Sequence, residues 1–130
     1  MTREFLAVAI VLALCVQADA RAKAPTLKIR ISPQMAVYSP LRPVLVRAWV
    51  TWSDQTGEKR CPAYTLDFGN GQQSRYEADC DPTETGPYLD TWHPGPGKYS
   101  APGEYDLVAT ATVGKTSIPA TARLYIVGEP

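Results

Sequence analysis

His93 is the only imidazole in the chain, set in the run His93-Pro94-Gly95-Pro96-Gly97 with no serine or cysteine beside it. Catalytic partners would have to be brought to it from elsewhere in the fold, as triads are assembled in space. Alone in a Pro/Gly loop, it reads as a solvated side chain. No glycine-rich loop follows a strand and opens a helix, so no phosphate cradle is encoded. The residues therefore predict no enzyme. Glu77, Asp79, Asp81, Glu84 and Asp90 gather hard oxygen ligands of the kind calcium prefers. Their spacing matches no EF-hand loop, and an ordinary solvated loop explains them. Asp79, Asp81 and Glu84 stand as weak calcium candidates, and no resident cofactor is expected. Aromatic residues are the stronger lead. Trp49, Tyr88 and Trp92 could stack on sugar rings or anchor a protein partner, with Tyr76 and Tyr125 also expected on outer faces. The alternative is that Trp49 and Trp92 cover each other or a second core layer.

The elements that must position these residues are short and extended. Twelve prolines and nine glycines cut the chain into pieces, and the pieces alternate with period two rather than with helical spacing. Thr26 to Ile31 puts Leu27, Ile29 and Ile31 on one face and Lys28 and Arg30 on the other. Val44 to Trp52 sets Val44, Val46, Ala48, Val50 and Trp52 against Leu45, Arg47, Trp49 and Thr51, and the first set is the core face because it lacks charge. Ala63 to Phe68 and Gln72 to Ala78 form a hairpin around Gly69-Asn70-Gly71, where residues tolerant of positive φ are concentrated. Asp67 can accept backbone N–H bonds at that corner. Asp81 to Lys98 is irregular, with Tyr88 to Trp92 as one short strand inside it. Glu104 to Val113 and Thr116 to Val127 form a final hairpin, with Tyr105, Leu107, Ala109, Ala111, Val113, Ile118, Ala120, Ala122, Leu124 and Ile126 inward. The pattern specifies an all-β sandwich.

Residues 1–20 read as a signal peptide. Arg3 supplies a basic start, the chain is unbroken apolar from Phe5 to Val16, and Ala18-Asp19-Ala20 is a small-x-small cleavage site. That apolar run is shorter than the roughly twenty residues a bilayer span requires. Lipidation at Cys15 is disfavoured because bulky Leu14 precedes it. Residues 21–130 then form one domain. The full chain balances 13 basic against 13 acidic residues. Loss of Arg3, Glu4 and Asp19 leaves a single excess positive charge, which gives no general attraction to nucleic acid or anionic lipid. Export would leave Cys61 and Cys80 in an oxidising compartment, and a disulfide between them is the natural inference.

Asp67-Phe68-Gly69-Asn70-Gly71, followed by Tyr99, Pro102, Gly103 and Tyr105, resembles the polycystic-kidney-disease (PKD) domain. Leu66 stands where that family carries a tryptophan, Asn70 replaces its second aspartate, and Gly97 occupies the place of its histidine. The likeness covers Tyr64 to Gly71 and Tyr99 to Val127. It implies an antiparallel, immunoglobulin-like sandwich of about seven to eight strands. The function expected is non-catalytic: a secreted or periplasmic module mediating protein–protein interaction at the cell envelope. Carbohydrate binding through exposed aromatics is the alternative, and a small structural subunit of an envelope assembly is the second. The partner is then an envelope or extracellular protein, or a polysaccharide, with no nucleic acid and no membrane span in the processed chain.

Overall fold

The computed structural model describes residues 24–55, 61–80 and 87–128. The leader, Cys15, Asp81 and Glu84 lie outside these. Nine strands follow in chain order: β1 (Thr26–Ser32), β2 (Met35–Val37), β3 (Val44–Asp54), β4 (Ala63–Asp67), β5 (Gln73–Glu77), β6 (Tyr88–Trp92), β7 (Gly97–Tyr99), β8 (Gly103–Val113) and β9 (Thr116–Val127). Among the described residues there is no helix, so none is long and apolar enough to cross a membrane.

The strands form two sheets. The smaller runs β1-β3-β6, with β7 also paired to β3, and the larger runs β2-β9-β8-β4-β5. β6 and β7 are two halves of one interrupted strand. β6 meets β3 from Val50↔Trp92 upward and β7 resumes at Val46↔Gly97. Four residues on one side therefore oppose three on the other. Pro94 and Pro96 have no N–H to give a ladder, so the extra residue bulges outward there. This break makes nine strands among the described residues, where the resemblance implies seven to eight.

Alternation determines the interior. Val46, Val50, Trp52, Leu66, Phe68, Leu107 and Leu124 are fully buried between the sheets, and every residue expected inward on β8 and β9 points there. β2 is an edge strand, joined in parallel to Tyr125–Val127 of β9. The Cys61–Cys80 disulfide closes the open end of the β4–β5 hairpin, its Cα atoms 5.9 Å apart. At the tip, Asp67 Oδ1 accepts the Gly69 N–H at 2.9 Å, and Gly69 and Gly71 take φ of +77° and +92°. The tip is strapped to β7, where Asn70 Nδ2 donates to the Lys98 carbonyl at 2.6 Å. A Cβ on Gly97 would lie 2.5 Å from Phe68 Cδ1, so the ring fills the space a side chain at 97 would need.

Candidate functional site

The three aromatics expected to act together are divided between the two faces of the smaller sheet. Trp92 ends β6 on the inward parity and is 8% exposed. It stacks on Tyr64 at 5.8 Å and on Tyr76 at 6.0 Å. Tyr76 shares the inward face of its sheet opposite Tyr64 and is exposed only because β5 is an edge. Tyr88 is half-buried on the same inward parity as Trp92. Trp49 points the other way. The expected strip of Trp49, Tyr88 and Trp92 is thus not assembled, because residues 88 and 92 share a parity that faces the core.

Asp90 shares this inward parity. A carboxylate on an inward position is costly unless it is hydrogen-bonded, and here Tyr64 Oη donates to Asp90 Oδ2 at 2.7 Å. Burial, and then this hydrogen bond, pushes the Tyr64 phenol well above its ordinary value. Tyr99 is raised by burial in the same direction, and its hydroxyl donates to the Phe68 carbonyl at 2.7 Å. Both phenols tie the β4 segment to the smaller sheet. Of the calcium candidates, Asp79 is exposed in the segment after β5. Among the described residues no three His, Cys, Asp or Glu side chains are placed to hold a metal ion.

The outward face of the smaller sheet has a coherent chemistry. β1 presents Lys28 and Arg30, β3 presents Arg47, Trp49 and Thr51, β6 presents Thr91, and β7 presents Lys98. Register brings Arg30 opposite Trp49, and Thr51 opposite both Lys28 and Thr91. The Arg30 guanidinium lies 4.5 Å over the Trp49 ring, and His93 meets that ring edge-on at 6.3 Å. Thr51 and Thr91 hydroxyls share a hydrogen bond at 3.4 Å. Two shallow troughs flank Trp49. One, of about 590 Å³, is lined by Lys28, Arg30, Thr51, Thr91 and His93; the other, of about 250 Å³, by Arg47, His93, Pro94 and Pro96.

No outward position of β1, β3, β6 or β7 is acidic. Asp54 and Asp90 belong to these strands, but both sit on the inward parity. Among the described residues, ion pairs form on the opposite face instead, where Arg123 meets Asp106 at 3.0 Å and Glu104 at 4.0 Å. Among the described residues, Lys28, Arg30, Arg47 and Lys98 form no ion pair with a carboxylate. The alternation in the sequence places Lys28, Arg30 and Arg47 outward, whereas Lys98 falls in the passage expected to be irregular and takes its place through β7. It does not reveal that they share one sheet.

No family model matches the chain, and no curated protein matches it significantly.

Proposed function

We propose that this chain is an exported, non-catalytic binding module of the immunoglobulin-like, PKD-related type, and that it engages a negatively charged partner through the outward face of its smaller sheet. The fold reading is supported by strand order. β1-β3-β6/β7 corresponds to the A-B-E sheet of such sandwiches, and β9-β8-β4-β5 to G-F-C-C′. Tyr105, near the start of β8, donates its hydroxyl to the Ala101 carbonyl at 2.7 Å, the bond that defines a tyrosine corner in these folds. The disulfide and the absence of a spanning helix among the described residues are compatible with an extracellular location.

The observation that carries the binding role is four cations on one sheet face with no acid among them. A chain with balanced charge has no general reason to segregate it in this way. Such a face attracts and orients anionic partners over about a Debye length. His93 on that face is exposed beside Trp49 rather than set in a cleft with a carboxylate, which supports binding over catalysis. The test is retention on a sulfonated cation exchanger. Arg30→Gln with Arg47→Gln should elute at clearly lower salt than Arg75→Gln with Lys115→Gln, although both remove two positive charges. Equal shifts would mean that only net charge matters, and the binding face would be abandoned.

A further inference from the structure

We infer that the ligand of this face is a linear acidic polysaccharide, whose sugar carboxylates are read by Lys28, Arg30 and Arg47 across the two troughs; this rests on the binding face proposed above. Spacing is the first argument. Lys28 and Arg30 are two residues apart on β1, and Arg47 sits opposite Ser32, two residues further along. At about 3.4 Å per residue, the three cations recur in steps of roughly 7 Å along the strand direction. A regular row suits a polymer with repeated charge better than a compact single anion. The troughs share Trp49 and His93, so an extended chain can pass from one to the other.

The second argument is the state of Trp49. Its ring face is covered by Arg30, so it does not offer the bare platform on which neutral sugars or nucleic-acid bases stack. Instead it holds the guanidinium in place, leaving the N–H edge for a bidentate carboxylate and lowering the ordering cost on binding. Thr51 and Thr91 add hydroxyls beside the cations, where sugar hydroxyls can be met.

The third argument disfavours a protein partner. Stable protein interfaces centre on buried apolar and aromatic anchors. The exposed leucines of this sheet, Leu45 and Leu89, sit opposite Lys98 and Ser53 at the two ends of β3, outside both troughs. Between them the face is polar and basic.

The experiment measures binding of the full exported chain to four probes at matched low salt: polygalacturonate, neutral dextran, poly-L-glutamate and a single-stranded oligothymidylate. Polygalacturonate should bind tightest. Lys28→Gln with Arg30→Gln should raise its Kd at least tenfold, and Trp49→Ala several-fold, with each protein still folded and its melting lowered by only a few degrees. Arg75→Gln on the other face should leave the affinity alone. Equal or tighter binding of poly-L-glutamate, or of the oligonucleotide, lost in the same double variant, would overturn the ligand class while keeping the face. Polygalacturonate binding that ignores the double variant would overturn both. Binding of dextran as strong as that of polygalacturonate, or binding of no probe, would also overturn the inference.

Discussion

Replacing each of two tryptophans by alanine separates a core role from a surface role. Trp92 is nearly buried and touches two rings. A tryptophan so placed removes on the order of 200 Å² from water, and at about 25 cal/mol per Å² that gives an upper bound near 5 kcal/mol. Measured Trp→Ala costs in cores are about 3–5 kcal/mol, cavity included. We therefore expect Trp92→Ala to lose about 3–5 kcal/mol, a large share of a total stability of about 5–15 kcal/mol. Trp49 lies on the outward face, and what it loses is mainly its contact with Arg30, about 0.5–1 kcal/mol for an exposed cation–π pair. Urea unfolding followed by far-ultraviolet circular dichroism checks both, because the signal does not depend on the residue replaced. With m on the order of 1.5 kcal/mol/M, the Trp92→Ala midpoint should fall by about 2–3 M, while that of Trp49→Ala falls by less than about 0.7 M. Costs that agree within about 1 kcal/mol would refute the assignment of the two tryptophans to opposite faces.

Tyr64 and Tyr99 are both held neutral in the fold, so the unfolded chain ionises first, near pH 10. Their contribution is thus fully present below that pH and declines above it, by at most about 1.4 kcal/mol per pH unit for each phenol. Urea midpoints between pH 8 and 11.5 should show the decline, and Tyr64→Phe should reduce its slope; an unchanged slope would remove Tyr64 as a cause. Gly97→Ala places a methyl 2.5 Å from Phe68 Cδ1 and should cost about 1–3 kcal/mol through overpacking, visible as a lower melting temperature, whereas Gly95→Ala meets nothing within 4 Å and serves as the comparison. Paired Cys61→Ser and Cys80→Ser substitutions open a loop with sequence separation 19 and should lose about 3 kcal/mol in the chain-entropy model. A loss under about 1 kcal/mol would mean that the hairpin holds its own open end.

Alternation along a strand is local, and the chain carries it without help. Side chains two residues apart must share a face, so the inward sets of β3, β8 and β9 and the outward placement of Lys28, Arg30, Arg47 and Trp49 follow from residue order alone. So does the capping role of Asp67, which needs only a turn two residues away. The Cys61–Cys80 pairing follows from their being the two cysteines left after the expected loss of the leader. Other features depend on contacts between distant segments. Trp92 has the same parity as Asp90, and a charged neighbour argues for an outward face until Tyr64, 26 residues earlier, donates the hydrogen bond that settles the carboxylate inside. β7 is too short to announce itself and exists because β3 offers it a ladder after the proline bulge. Arg30 reaches Trp49 only through the register of β1 on β3. For β1, β3, β8 and β9, which residues face outward is thus written in the strand itself; which of those outward residues become neighbours is decided by strand pairing, which no single strand encodes.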